Sequence, residues 1–175
     1  MSSRSSVMGR LGLWALGSVF PAACVLAGQH APIKIAVFNF ELDDVTPASA
    51  LLDQSTSSSA TLEKVTAAAR KALADSGRYT IVDVGKANAT PASGKTLRDC
   101  DGCEASIAAH LGAAESMIGV VRRATQTDFY ITLVIRDANT GKVLDQQGAN
   151  FAGDETGWPS GVRMLIKHQV LVTQN

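Results

Sequence analysis

Two cysteines, Cys100 and Cys103, stand three positions apart in the stretch Asp99-Cys-Asp-Gly-Cys-Glu104, directly before a predicted short helix. Thiols at this spacing can form a disulfide, act as a redox pair, bind a metal ion or hold a haem. In an oxidising compartment the disulfide is the usual outcome. It would close a loop of four residues, for which chain entropy gives only about 2 kcal/mol. We therefore expect a local disulfide that fixes where the helix begins.

Three other uses of the cysteines have less support. A redox pair would gain from the helix amino terminus, but the carboxylates of Asp99, Asp101 and Glu104 oppose thiolate formation. A metal site could add His110, seven residues after Cys103 on the same helical face, but a structural zinc needs a fourth ligand and the chain has no second CxxC and no HxxxH. Covalent haem is excluded because Glu104 stands where attachment requires histidine. The sequence therefore predicts no metal site and no cofactor.

Carboxylates cluster after the first predicted strand, at Glu41, Asp43 and Asp44, and Asp53 follows in the same polar stretch. Paired carboxylates can act as acid and base or hold Ca²⁺, but the spacing here is not that of an EF-hand. We interpret the stretch from Glu41 to Ser59 as a long surface loop, which is either functional or mobile at this length.

Trp158 stands between a loop and the last predicted helix, in register with Val162 and Ile166. The register favours a core position, and a binding anchor is the alternative. No catalytic residue is predicted, since the chain has neither a GxSxG motif nor a glycine-rich phosphate loop after a strand. His168 suits the end of its helix through the helix dipole alone. The candidate binding residues are Trp158, Glu41, Asp43 and Asp44.

The amino terminus has the pattern of a secretory signal peptide. Arg4 and Arg10 precede an uncharged apolar run from Leu11 to Ala27, and cleavage after Ala27 is expected. A permanent membrane helix is the alternative, but the run is interrupted by Pro21 and falls just short of the roughly 20 residues that span a bilayer. A lipoprotein with Cys24 acylated is a further alternative, weakened by Pro21 where such signals usually carry leucine.

Cleavage after Ala27 leaves 148 of the 175 residues, with 14 basic against 16 acidic side chains and a formal charge of −2. A near-neutral chain without a basic run does not fit nucleic-acid binding, which depends on clustered positive charge. Of the three cysteines, Cys24 leaves with the signal, so Cys100 and Cys103 remain as an even pair. These features predict a periplasmic protein that touches the membrane only through its signal peptide or a lipid on Cys24.

Apolar periodicity predicts five strands and three helices in the order β-α-β-α-β-β-β-α. The first strand is nearly continuous in apolar residues and so is expected to be buried on both faces. The first helix is expected to begin with a Ser58 or Ser59 cap and to end at Gly77. We predict one α+β domain over 28–175, with a mixed or antiparallel sheet covered by helices. The predicted strands are Ile33–Phe40, Tyr79–Val84, Ser116–Arg123, Phe129–Arg136 and Lys142–Phe151, and the other helices are Ala105–Leu111 and Trp158–Val170.

Several stretches also resemble a known family: AVFNFEL, SGRYTIVD, the CxxC before IAAHLGA, DANTGKV and GDETGW. Together they are similar to exported proteobacterial proteins classed as a domain of unknown function (DUF3280/DUF2380), over roughly Ile33 to Val170. At the level of fold that family is similar to the amino-terminal domain of TolB and to the CsgG and LpoB group of envelope proteins. The resemblance implies a periplasmic, non-enzymatic domain that binds another envelope or periplasmic protein.

The sequence thus favours an accessory module of the cell envelope that recognises its partner through an exposed strand edge or the Glu41–Ser59 stretch. A thiol-disulfide redox protein or sensor using Cys100 and Cys103 is the competing hypothesis. A carrier of a small ligand is a third, and would need an apolar cavity.

Overall fold

The computed structural model describes residues 31–46, 55–85 and 96–173. The chain divides into Met1–His30 and a compact unit, Ala31–Asn175. The predicted signal peptide, its cleavage site and Cys24 lie outside the described residues. Within the described ranges no helix is both long and apolar enough to cross a membrane.

The compact unit is an α+β domain, as the sequence predicts. In the described ranges six strands form one sheet, and helices lie on both of its faces. The strands are β1 Ile33–Val37, β2 Glu41–Asp44, β3 Tyr79–Val82, β4 Glu115–Arg123, β5 Asp128–Asp137 and β6 Val143–Ala152. The helices are α1 Ser55–Asp75, α2 Cys103–His110, α3 Trp158–Leu165 and α4 Leu171–Thr173, with 3₁₀ turns at Leu97–Asp99 and Glu155–Gly157 and a π-helical turn at Ile166–Val170.

The sheet is mixed. Its order is β3-β1-β4-β5-β6, and β2 pairs with β4 beyond the end of β1. The strands β3, β1 and β2 run parallel to β4, whereas β4, β5 and β6 form an antiparallel meander. The alternation that predicted β5 is confirmed, because Phe129, Ile131, Leu133 and Ile135 are all buried on one face.

The stretch after β1 differs from the prediction. Val37 lies opposite Met117 and Glu41 opposite Val120, so four steps along β1 and β2 match three along β4. This one-residue bulge ends β1 at Val37 and lets the chain re-enter the sheet as β2. The prediction that a surface loop begins at Glu41 is therefore wrong for Glu41–Asp44, and residues 47–54 lie outside the described part of the chain.

Side chains of α1 satisfy the backbone groups that the bulge frees. Thr66 Oγ1 accepts from the Phe40 amide at 3.0 Å. Arg70 Nη2 donates to the Val37 carbonyl oxygen at 2.7 Å. Because a buried backbone group without a partner is costly, these two bonds make the interruption of the strand tolerable.

The helix α1 covers the main core with its apolar stripe, which includes Val65, Ala69 and Leu73. It begins at Ser55, one turn before the predicted cap, so the Ser58 or Ser59 cap is wrong. Periodicity locates only the part of a helix that packs, and the first turn here carries no apolar residue that would reveal it.

The helix α3 lies close to the sheet because Gly161 faces it. A Cβ at Gly161 would lie 3.1 Å from Ile131 Cδ1 and 3.4 Å from the rings of Phe129 and Phe151. A glycine that sequence propensity counts against a helix is thus the residue that allows α3 to pack on β5 and β6.

Candidate functional site

The cysteines lie at the corner where α2 begins, on the face of the sheet opposite α1 and α3. Their Sγ atoms are paired as a disulfide, and their Cα atoms lie 5.5 Å apart. Asp101 and Gly102 both take positive φ, 50° and 94°, and so turn the chain back over the first residue of α2. The pairing of the sulfurs matches the expectation, whereas its structural or redox role stays a prediction.

Beneath this corner lies a buried ion pair that the sequence did not reveal. Glu104, the second residue of α2, is only 1% exposed, and its Oε1 lies 3.0 Å from Arg136 Nε of β5. Arg136 Nη1 also donates to the Gly141 carbonyl at 3.1 Å, in the turn between β5 and β6. The guanidinium therefore joins the cysteine corner to the end of the β5–β6 hairpin.

His110 does not join the cysteines, contrary to the ligand set that spacing suggested. It ends α2, is exposed, and its Nδ1 lies 2.7 Å from the Ser106 carbonyl oxygen. Among described residues, the group of metal-ligating side chains that does converge contains Cys100, Cys103 and Glu104.

The three candidate carboxylates of β2 are held by partners within the chain. Glu41 Oε1 and Oε2 accept from the amides of Leu97 and Arg98 at 2.7 and 3.3 Å, which fixes the 3₁₀ turn beside β2. Asp43 pairs with Arg122 at 3.1 Å, and Asp44 pairs with Arg123 at 3.3 Å.

These contacts give Glu41, Asp43 and Asp44 structural roles at the β2–β4 junction. A binding role for any of them stays a prediction.

Trp158 lies in the core and is 1% exposed. Its ring centroid lies 6.0 Å from that of Phe129, and the guanidinium carbon of Arg123 lies 5.0 Å from the indole centroid. Arg123 Nη2 in turn lies 3.0 Å from Glu155 Oε2. The position agrees with the core reading of Trp158, and its proposed role as a binding anchor is untested.

The strand β6 is an edge of the sheet. Within the described part of the chain it pairs with β5 alone. Its first two residues, Val143 and Leu144, are exposed apolar side chains, with Leu144 47% exposed. Leu144 occupies a register irregularity between the pairs Ile135–Asp145 and Arg136–Val143. Asp145 points into the molecule and is buried.

The sequence alone did not single out Arg136, the burial of Glu104 or the edge position of β6. The alternation of β5 placed Arg136 on the face opposite the main core, and that face is covered by α2 at this point. The burial of Glu104 was not predicted, because single-sequence patterns do not show that an arginine from a distant strand lies beside it.

The sequence profile of a family described as "Protein of unknown function (DUF2380)", named DUF3280, matches residues 33–170. That match covers most of the chain. The chain belongs to the DUF2380 family. The family resemblance expected from the sequence is therefore confirmed. No curated protein matches this DUF2380 member significantly in sequence.

Several solved structures are similar to this DUF2380 member. Lipoprotein GNA1162 from Neisseria meningitidis is 17% identical, with a TM-score of 0.51 over 82% of this chain and 98% of that one. The LpoB C-terminal domain from Salmonella enterica is 18% identical, with a TM-score of 0.45 over 71% of this chain and 86% of that one. TolB from Acinetobacter baumannii is 18% identical, with a TM-score of 0.48 over 83% of this chain but 29% of TolB. At 17% identity the similarity to GNA1162 concerns the fold alone.

Proposed function

We propose that this chain is an exported protein of the bacterial envelope that acts without catalysis, by binding an extended segment of another protein along the edge of β6. The signal-peptide pattern of residues 1–27 supports export. The fold it shares with a protein named as a lipoprotein, GNA1162, is in keeping with a place in the envelope. The observation that carries the proposal is the edge position of β6.

The hydrogen bonds between β5 and β6 show which backbone N–H and C=O groups of β6 point away from the sheet. Gly153 donates its amide to Thr127 at 2.8 Å, in line with the register that places Phe151 opposite Phe129. Because hydrogen-bonded pairs alternate along an antiparallel ladder, the residues between them direct their N–H and C=O groups away from β5. These residues are Gln146, Gly148, Asn150 and Ala152.

The same segment has few of the features that protect edge strands from pairing. Gln146 to Ala152 contains no charged residue and no proline. The inward Asp145 and the irregularity at Leu144 interrupt pairing only at the beginning of β6. An unprotected edge of this length accepts an added strand, with main-chain hydrogen bonds giving affinity and alternate side chains giving specificity.

Proline at Asn150 tests the edge directly. It removes one outward N–H and leaves the β5–β6 hydrogen bonds in place, whereas Asn150→Ala keeps the N–H and serves as the matched control. A photo-crosslinking residue at the exposed Gln146 would report the partner in cells of the source organism. We expect a discrete adduct in the wild type and in Asn150→Ala, and its loss in a folded Asn150→Pro variant. Equal adducts in the two variants would exclude binding at this edge.

Intact mass of the protein recovered from its source cells tests export. We expect residues 28–175 with two hydrogens fewer than the dithiol. An added acyl mass on a chain beginning at Cys24 would show a lipoprotein, and an uncleaved chain would contradict export with cleavage.

A thiol-disulfide redox protein is the second candidate, favoured by the position of Cys103 as the first residue of α2, where a helix amino terminus stabilises a thiolate. The reduction potential of the Cys100–Cys103 disulfide distinguishes a structural bond from a redox-active pair. A value below about −300 mV marks a structural bond, whereas a value near −200 mV supports redox chemistry.

A further inference from the structure

Three atoms able to bind a metal ion converge at the cysteine corner. The Sγ atoms of Cys100 and Cys103 and a carboxylate oxygen of Glu104 all lie within 4.8 Å of one another. Cys103 and Glu104 are the first two residues of α2. The positive φ angles of Asp101 and Gly102 turn the chain so that Cys100 lies beside them. The backbone of this turn thus brings the three donors together in the disulfide-bonded structure.

The Glu104 carboxylate is buried and short of partners. Neither of its oxygens makes a well-aligned hydrogen bond to a described residue. Arg136 Nε approaches Oε1 as an ion pair at 3.0 Å, so the carboxylate has a counter-charge but no hydrogen bond in the described ranges. Ser116, which lies opposite Arg136 on β4, likewise buries a hydroxyl without a partner there. Buried polar groups are normally hydrogen-bonded, so a buried carboxylate that has an ion pair but no hydrogen bond, and that offers an oxygen within 4.8 Å of two sulfurs, indicates a place for a ligand.

Charge balance favours a divalent cation once the sulfurs are reduced. In the disulfide form the charges of Glu104 and Arg136 cancel; Asp101 also lies 3.9 Å from Arg136 Nη2, but its carboxylate is fully exposed and therefore screened by water. Two thiolates beside Glu104 would add two negative charges in a buried corner, which is unfavourable without compensation. Two thiolates and the carboxylate carry three negative charges, and a divalent cation with Arg136 carries three positive ones. A divalent cation therefore restores neutrality.

We propose that reduction of Cys100 and Cys103 converts this corner into a binding site for a thiophilic divalent cation, with both thiolates and Glu104 as its ligands. A dithiol reductant breaks the S–S bond, gives one hydrogen to each cysteine sulfur and itself becomes a disulfide. The cation then displaces the two thiol protons. Sulfur and carboxylate donors suit Zn²⁺, and three protein ligands leave a fourth position open.

The test is a zinc titration of the full chain against a chromophoric chelator, after reduction with a phosphine that does not compete for the metal. We expect the reduced wild type to bind one Zn²⁺ and the oxidised protein and Cys100→Ser/Cys103→Ser to bind none. Glu104→Gln should weaken binding at least about 10-fold, because even an indirect partner of a metal ligand contributes that much. His110→Ala is the matched control and should bind like the wild type.

X-ray absorption at the zinc edge of the wild type counts the ligands without any substitution, so the proposal stays testable if Glu104→Gln does not fold. We expect two sulfur neighbours, with oxygen in the remaining positions. Zinc bound no more tightly by the reduced wild type than by the double serine variant would overturn the proposal. Loss of binding in His110→Ala with full binding in Glu104→Gln would overturn the ligand set.

Discussion

The guanidinium of Arg123 lies over the indole of Trp158, with its carbon 5.0 Å from the ring centroid. The same guanidinium contacts Asp44 at 3.3 Å and Glu155 at 3.0 Å. One side chain at the end of β4 therefore joins β2, the turn before α3 and the first residue of α3. Its own side chain is only 14% exposed, so these contacts are largely shielded from water.

Replacement of Arg123 by methionine should lower the free energy of unfolding by about 3 kcal/mol. Methionine keeps much of the apolar contact with Trp158 but removes the guanidinium that contacts the shielded Asp44 carboxylate, and breaking a buried pair in this way is costly. Urea denaturation measures the change. Arg122→Met is the control: Arg122 pairs with Asp43 on the same two strands but is 58% exposed, and exposed pairs contribute at most about 1 kcal/mol.

Arg123→Lys should fall between these two variants, since lysine keeps the charge but cannot contact two carboxylates with a planar fork. An Arg123→Met variant no less stable than Arg122→Met would show that the network contributes nothing beyond a surface pair.

Gly119 and Gly148 each lie beneath an aromatic ring, and alanine should cost much more at the first. A Cβ at Gly119 would collide with the ring of Phe40, which is buried in the core. A Cβ at Gly148 would collide with Tyr130, whose ring is at the surface and can swing away. We expect Gly119→Ala to destabilise by about 2 kcal/mol through overpacking and Gly148→Ala by less than about 1 kcal/mol.

Thermal unfolding of both variants, with Phe40→Leu added to Gly119→Ala, checks the cause. The smaller leucine should restore part of the loss. If the Gly119→Ala/Phe40→Leu variant loses as much stability as Gly119→Ala and Phe40→Leu lose separately, added together, the Phe40 ring is not what excludes a Cβ.

Patterns along the chain were sufficient for the meander and for the helices that cover it. The strict alternation of β5 identified its buried face, and the stripe of Val65, Ala69 and Leu73 identified α1. The bulge after Val37 was not predictable, because it depends on Thr66 and Arg70 meeting backbone groups far away in the sequence. A continuous run of apolar residues gives the same strand prediction whether or not the strand contains a one-residue bulge.

At the candidate site, too, features that depend on neighbouring residues were predictable, whereas contacts between residues distant in the sequence were not. The spacing of Cys100 and Cys103 was enough to expect their pairing. Spacing also suggested His110 as a third ligand, whereas the tertiary structure places Glu104 there and neutralises it with Arg136. A charge that looks solvated in sequence can be buried when its partner comes from another strand.

Stability should depend on pH through Glu115. Burial raises the pKa of its carboxyl most strongly, Arg78 lowers it and Asp137 raises it again. Because the folded-state pKa lies above the unfolded value, the stabilising contribution is complete below the unfolded pKa and is lost as pH rises through the folded one. Glutamine mimics the protonated form, so Glu115→Gln should be more stable than the wild type at pH 7, with the difference shrinking at pH 4.

Asp154→Asn supplies a control of opposite sign. The side chain and backbone amide of Thr156 lower the pKa of Asp154, so its contribution is present at neutral pH and lost as pH falls. Urea midpoints at the two pH values measure both variants. A Glu115→Gln variant less stable than the wild type at pH 7 would mean that the pairing with Arg78 outweighs burial.

The Glu104–Arg136 pair should behave as a coupled unit. Arg136→Met leaves a carboxylate that is 1% exposed without its counter-charge, and the expected loss is about 3–5 kcal/mol. Glu104→Gln removes that charge, so the double variant should lose less than the sum of the two single variants, by more than about 1 kcal/mol. Urea denaturation of the wild type, the two single variants and the double variant, with the disulfide intact, gives the coupling free energy.

Lys71→Met tests a pair of the opposite kind, since Lys71 and Asp75 are exposed on α1, and should change stability by no more than about 0.5 kcal/mol. Additive losses at Glu104 and Arg136 would show that the 3.0 Å contact between them is not an energetic pair.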